Sequence, residues 1–354
     1  MAIIGPTYPP EFYVRHKQKL LTLNDDDRGP LNTLDFTLNH AIPLLRSDDG
    51  IPVFGLGTWQ SKAGEVGAAV KEAIKQGYRH IDCAQAYGNQ KEVAEAIHDC
   101  IDEGIVTRED LWITTKIWNT FHSYDAALEA IKACLKEMRL DYFDLVLIHW
   151  PMGYEEGGEF FPWTDETKSA MKFSDVDYID TYQALVFAQE NGLTRHIGLS
   201  NFEVNQVLRI TGAGLPMPQV IQVEIHVYLK QFKMMEYCQD ENIALIAYSP
   251  LASTGSPFRK PSDPSVFTDK VITAIASSKE GVTNAQVALR WLLNRGIGVI
   301  PKSSKAERIA ENAKALHVIL TDAEMKKLDK LNKDKRFVDL KARDGHHMHF
   351  PWKK

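Results

Sequence analysis

The sequence predicts an α/β protein built as one (β/α)8 TIM barrel, and three observations predict it. Short β-branched or apolar runs recur eight times, helix-like stretches follow them, and polar side chains gather at the far ends of the runs. The runs span 52–59, 78–84, 111–116, 144–150, 195–201, 220–226, 243–250 and 296–302. Stretches 63–76, 89–103, 123–138, 178–191, 204–211 and 230–242 read as helices. In the first of these, Val66, Val70, Ala73 and Ile74 share a face, and Gly77 stands where a glycine ends a helix. Ser304-Lys305-Ala306-Glu307 and Thr321-Asp322-Ala323-Glu324 both have the form of a capping box. Strand–helix alternation repeated eight times implies a parallel sheet closed on itself. A doubly wound open sheet would place G-x-G-x-x-G after its first strand, and Gly55-Leu56-Gly57-Thr58-Trp59-Gln60 has no third glycine.

Residues 37–44, followed by Ser47-Asp48-Asp49-Gly50, read as a strand and turn leading into Pro52. A small N-terminal hairpin closing the barrel floor is expected there. Residues 1–34 read as an N-terminal extension, partly disordered or wrapped on the surface, and 35–354 as one barrel domain with long loops over the active-site rim. The irregular stretch 331–354 carries His346-His347-Met348-His349, which reads as a solvated tail rather than a metal site.

Composition narrows the function. With 41 basic and 47 acidic residues in 354, the chain is mildly acidic, so general nucleic-acid binding is not expected. The four cysteines, Cys83, Cys100, Cys134 and Cys238, form no CxxC pair and match no zinc spacing. Reduced thiols in a cytoplasmic protein are the simple reading. No run approaches 18 uninterrupted apolar residues, and prolines and charges occupy the N-terminus where a signal peptide has its apolar run. A monomer acting on a small molecule is expected.

In a parallel barrel the C-terminal strand ends meet at one rim, where chemistry gathers. Asp82, Lys116 and His149 stand at the ends of runs two, three and four, with Tyr87 in the loop after run two. Neighbouring strands lie about 4.8 Å apart, so the three converge if each points inward. Singly, each has a plainer role as a loop cap, a solvated cation, a barrel residue or a packing ring. Together they make a proton-transfer site. A lysine beside a phenol favours the phenolate and should lower its pKa, making Tyr87 a usable proton donor. Histidine can orient a carbonyl oxygen. Lys302, Ser303 and Arg308 lie where the last strand meets a helix N-terminus, a place suited to the 2′-phosphate of NADP.

Several long motifs in order resemble the aldo-keto reductase family, with aldose and aldehyde reductases the nearest relatives. They are Gly77-Tyr78-Arg79-His80-Ile81-Asp82 with Ala86-Tyr87-Gly88-Asn89, Leu147-Ile148-His149-Trp150-Pro151, and Gly198-Leu199-Ser200-Asn201-Phe202. Ile300-Pro301-Lys302-Ser303 with Glu307-Arg308-Ile309-Ala310-Glu311-Asn312 completes the set, and the resemblance runs from about 37 to 340. It implies reduction of aldehydes or ketones to alcohols with NADP(H) and transfer of the 4-pro-R hydride. Tyr87 would be the general acid, tuned by Lys116 and Asp82, with His149 orienting the carbonyl. Ser200, Asn201 and Gln222 would hold the nicotinamide carboxamide and Tyr248 would stack on its ring. Arg308, Glu311 and Asn312 would meet the adenine, with Thr58, Trp59, Ser249, Leu251, Ser253 and Pro301 as further cofactor contacts. Trp59, Trp118, Trp150, Phe161 and Phe258 would wall the substrate pocket, and 331–354 would supply a specificity loop. Gly255 stands where such relatives carry an acidic clasp on the lysine, which implies a weaker clasp and faster cofactor release. An NADPH-holding sensor subunit is the competing function. A metal-dependent hydrolase lacks converging ligands.

Overall fold

The computed structural model describes residues 37–253 and 255–352; the expected extension, 1–34, lies outside the described residues. An antiparallel pair, β1 (Ala41–Pro43) and β2 (Gly50–Pro52), precedes eight parallel strands. These are β3 (Gly55–Gly57), β4 (His80–Asp82), β5 (Trp112–Ile117), β6 (Phe143–Ile148), β7 (Thr194–Ser200), β8 (Val220–Glu224), β9 (Ala244–Tyr248) and β10 (Gly298–Val299). Each pairs with the next in chain order. Parallel bridges Phe54↔Val299 and Gly57↔Lys302 join the last strand to the first, so the sheet closes as expected.

The first expected run, 52–59, is two elements. Residues Gly50–Pro52 pair with β1, and the barrel strand begins only at Gly55. Ile42, Leu44 and Ile51 of the hairpin region pack on Trp112, Leu145, Leu147, Val220, Ala244, Ile246 and Ile300, which fill the barrel interior. The hairpin thus plugs the floor. Alternation does the sorting: in β6, Leu145 and Leu147 belong to the interior cluster, while Val146 and Ile148 join the layer under the helices. Gly198 pairs with Leu147 on one side and Val220 on the other; a Cβ there would stand 2.2 Å from the Val220 carbonyl oxygen.

Helices α1 (Val66–Lys75), α2 (Gln90–Asp102), α3 (Tyr124–Met138), α4 (Tyr178–Glu190), α5 (Val204–Gly212) and α6 (Phe232–Asp240) match the six expected stretches. Gly77, at φ +93°, ends the first. Two helices between β9 and β10, α7 (Lys270–Ser277) and α8 (Asn284–Leu293), were not expected. Every residue of α8 from Ala285 to Leu293 is buried, the polar Gln286 and Arg290 included. A capping box at Thr283 and Gln286 was its legible signal. After β10 come α9 (Ala306–Ala313) and α10 (Asp322–Asp329). Thr321 and Glu324 form the expected box, but Ser304 does not cap α9, whose N-cap is Lys305 with no side-chain hydrogen bond.

The C-terminal stretch is not a solvated tail. It forms a short helix, α11 (Lys341–Asp344), and buries Phe337, Val338, Leu340, His347 and Phe350. His347 lies against Phe173 and its Nε2 meets the Ser174 carbonyl oxygen at 3.1 Å. Among the described residues no group of ligating side chains could hold a metal ion, and no helix is long and apolar enough to cross a membrane.

Inside the barrel, burial drives the His80 imidazole down to about 4 despite the nearby Asp82. Above pH 6.5 the ring is neutral folded and unfolded alike. Below it the unfolded chain takes up a proton that the folded ring refuses, so stability falls from about pH 6.5 toward 4. His80→Gln is expected to lose about 2–3 kcal/mol less than the parent between pH 7 and 4.5, measured by urea unfolding. Parallel losses in both proteins would assign the acid sensitivity elsewhere.

Candidate active site

Three adjacent strands and one turn bring the four expected groups together. Asp82 ends β4, Lys116 lies near the end of β5, and His149 directly follows β6. A single 3-10 turn, Gln85–Tyr87, closed by Gly88 in the left-handed region, carries Tyr87 back over the strand ends. Lys116 is 1% exposed and Asp82 2%. The Lys116 ammonium donates to Asp82 Oδ2 at 2.7 Å, to the Cys83 carbonyl oxygen at 2.9 Å and to the Tyr87 hydroxyl oxygen at 3.2 Å. An ammonium has three N–H bonds, and all three are placed. The other Asp82 oxygen accepts the Gln222 amide N–H at 2.8 Å. Since Lys116 donates to the phenol oxygen, the Tyr87 hydroxyl proton is directed elsewhere, toward the cavity that Tyr87 lines.

The expected lowering of the Tyr87 pKa is overturned. Burial, with Asp82 and Cys83 adding to it, pushes the phenol well above its usual value. The Lys116 charge is already matched by Asp82 at closer range. Tyr87 therefore keeps its proton across the ordinary pH range. Burial, helped by the Lys116 charge, holds His149 well below the usual imidazole range, so that ring is neutral. Its Nδ1 is buried without a hydrogen-bond partner. The ring stands edge-on to Tyr87, centroids 5.7 Å apart, and to Trp118 at 5.3 Å.

These groups open into one cavity of ≈ 820 Å³. Trp59, Trp118, Trp150 and Phe161 cluster at one end, and Phe258 also lines the cavity, from the loop after β9. Val338, Leu340 and Arg343 from the C-terminal stretch join that wall. Sequence reasoning assigned the stretch to a specificity loop but named none of these residues, and its irregular pattern carried no signal that would single them out. Arg343 is held by Asp344 through Nε (2.8 Å) and Nη2 (2.7 Å), and by the Tyr154 hydroxyl at 2.8 Å. Ser200, Asn201, Gln222 and Tyr248 line the cavity as well. Asn201 donates to the His149 carbonyl oxygen at 2.9 Å and accepts from the Tyr248 hydroxyl at 2.6 Å.

The other end is cationic. Ser249, Leu251, Ser253, Pro301, Lys302, Ser303, Arg308, Glu311 and Asn312 all line it, joined by Lys305, which the sequence reading did not single out. Of the expected cofactor residues, Thr58 alone is not on the cavity. It is fully buried and its hydroxyl donates to the Asp82 carbonyl oxygen at 2.8 Å. Gly255 lines the cavity, and a Cβ there would meet nothing nearer than Gln60 Oε1 at 3.6 Å.

The donor set fits a dinucleotide phosphate. Helix α9 starts without a side-chain cap, and anions stabilise such a terminus. Loss of water lowers the pKa of the Lys302 ammonium, a charge that an anion would compensate. Among the described residues Lys302, Lys305 and Arg308 make no ion pair with a carboxylate.

Comparison with known proteins agrees with this arrangement. Residues 53–333 match the aldo/keto reductase family. The chain is 40% identical over 296 residues to aldo-keto reductase family 1 member A1 of Bos taurus, covering 83% of this chain and 90% of that protein. It is also 40% identical over 302 residues to an aldo/keto reductase of Synechocystis, covering 83% and 89%. The aldose reductase from Schistosoma japonicum is similar in structure, with TM-score 0.82 and 36% identity, over 89% of this chain and 99% of that one.

Removing one partner of a buried ion pair leaves the other charge uncompensated, at a cost of about 3–5 kcal/mol. Asp82→Asn is expected to lose that much stability in urea unfolding. Adding Lys116→Met, which removes the stranded charge, should recover part of it. A double variant less stable than Asp82→Asn alone would contradict the pairing.

Proposed function

The chain belongs to the aldo/keto reductase family, oxidoreductases acting on carbonyl compounds, and from that premise we propose that it reduces aldehydes and ketones to alcohols with NADPH, taking the proton from Tyr87. One observation carries the reading: an unbroken hydrogen-bonded chain from Gln222 through Asp82 and Lys116 to the Tyr87 hydroxyl, opening on the same cavity as His149.

A carbonyl oxygen beside Tyr87 and His149 would meet a phenolic proton and a neutral imidazole, which has one N–H to offer. When bound, NADPH supplies the hydride. The raised pKa of Tyr87 suits a donor acting in this direction: the proton stays in place until the carbonyl oxygen gains charge, and an alkoxide is a stronger base than a phenolate. The Lys116 ammonium, already at the phenol oxygen, then stabilises the phenolate. Asp82 and the Cys83 carbonyl keep the ammonium aimed. Trp59, Trp118 and Trp150 exclude water from one side and accept the apolar body of the substrate.

For the cofactor, Ser200, Asn201 and Gln222 are assigned to the nicotinamide carboxamide and Tyr248 to its ring. Lys302, Ser303 and Arg308 are assigned to the 2′-phosphate, and Glu311 and Asn312 to the adenine. The four cysteines are free and buried, which fits a reducing compartment such as the cytoplasm.

A panel of aldehydes followed at the nicotinamide absorbance, with NADPH and NADH in parallel, tests the activity. Turnover of about 10 s⁻¹ is typical of an enzyme; turnover far below one per minute, on the order of a thousandfold less, would instead favour an NADPH-holding sensor. Tyr87→Phe is expected to lower kcat by about two orders of magnitude or more while NADPH binding stays unchanged. Retained activity would remove Tyr87 from its role. Arg308→Ala should raise the NADPH dissociation constant and shrink the preference over NADH; an unaltered ratio would refute the phosphate assignment.

A further inference from the structure

The wall of the substrate end is built from the last part of the chain, and its placement depends on a group remote from the reacting atoms. Residues 224–230, leaving β8, run beside 332–338. Lys333 and Lys335 donate their backbone N–H groups to the Tyr228 carbonyl oxygen at 3.0 and 3.1 Å, and the Lys230 N–H reaches Asn332 Oδ1 at 3.1 Å. Where this seam meets the cavity wall lies Glu224, the last residue of β8, wholly buried. Its Oε1 accepts the Phe337 N–H at 2.7 Å and faces His226 Nε2 at 3.0 Å; its Oε2 accepts the Val338 N–H at 3.1 Å. His226 Nδ1 accepts the Tyr228 N–H at 3.3 Å, so the proton of the neutral ring sits on Nε2, aimed at the carboxylate. The Phe337 carbonyl in turn accepts the Ser256 hydroxyl at 2.7 Å.

Immediately beyond this anchor, Val338, Leu340 and Arg343 face the cavity. A carboxylate buried so deeply persists only when its donors are in place, and here two of the three are main-chain groups of the wall. We propose that Glu224 is a positioning residue for substrate selection: it fixes residues 337–343 against the barrel and so sets which carbonyl compounds fit, taking no part in proton or hydride transfer. The proposal rests on reading the cavity as a carbonyl-reduction site.

The test is Glu224→Gln in the full chain. An amide keeps one acceptor oxygen, while its NH2 group opposes a donor. The KM for a bulky aldehyde such as naphthaldehyde is expected to rise about tenfold, the effect of losing one hydrogen bond to a charged acceptor. The kcat with propanal and the NADPH dissociation constant should not change. His226→Gln keeps an N–H donor for Glu224 and should shift the naphthaldehyde KM less. Hydrogen exchange gives a second readout. In the parent protein the amides of Phe337 and Val338 should exchange far more slowly than that of exposed Asp339, and in Glu224→Gln they should speed up while those around Tyr87 do not. An unchanged ratio of the two KM values, or a fall in kcat shared by both aldehydes, would overturn the proposal. So would parent amides at 337 and 338 exchanging as fast as that of Asp339, a measurement that stands even if the variant fails to fold. A parent protein that reduces neither aldehyde would count against the carbonyl-reduction reading, and the exchange comparison would still decide whether Glu224 holds the wall.

Discussion

The position of the Lys116 ammonium governs the candidate site. A lysine that is 1% exposed cannot leave an N–H unpaired without a large desolvation cost, and its three donors are fixed by Asp82, Cys83 and Tyr87. Two of those acceptors lie on β4 or directly after it, so the pair ties β5 to β4 at the rim. The third is the phenol. Because the oxygen of Tyr87 accepts a hydrogen bond from Lys116, its own proton has one useful direction left. Gln222, from the opposite side of the barrel, fixes the second Asp82 oxygen and keeps the carboxylate from turning away.

The strand register explains why such a pair forms at this mouth. Asp82 is opposite Thr114 and Lys116 opposite Leu147, so the inward positions climb from strand to strand as the sheet winds round. Lys116 therefore lies one inward step above the level of Asp82, and its long side chain reaches across and back. A shorter cation there would not meet both the carboxylate and the phenol.

Much of this was legible in the sequence because it follows from period and order. Eight apolar runs, separated by helices, dictate the barrel, and the residues ending runs two to four dictate which side chains meet. Tertiary electrostatics were not legible. Lysine beside tyrosine suggested a lowered phenol pKa, but burial reversed the direction once Asp82 took up the lysine charge. Local hydrogen bonding misled at Ser304, where an S-x-x-E pattern stands at a helix start that no side chain caps. Helix α8 was missed although Thr283 and Gln286 offered a capping box, and burial takes in even its cation: Arg290 is fully buried, its guanidinium donating to the Leu316 carbonyl oxygen. Val338 and Leu340 lie outside any helix or strand, and Arg343 sits in a four-residue helix too short to show a period. Their place depends on main-chain bonds to Glu224, more than a hundred positions earlier in the chain.

The two ends of the cavity differ in a way that separates binding from selection. At the cationic end, Lys302, Lys305 and Arg308 are exposed charges at an uncapped helix terminus, so an anion supplies what the protein lacks there. At the aromatic end the polar groups already have partners: Arg343 with Asp344 and Tyr154, Glu224 with two backbone amides and His226. Satisfied groups resist reorganisation when an apolar body enters, and shape becomes the main criterion there. The reacting groups are held by the ends of β4, β5 and β6 and by the turn that carries Tyr87. Changes in residues 337–343 can therefore alter the shape of the pocket without moving Lys116, provided the anchor at the end of β8 stays in place.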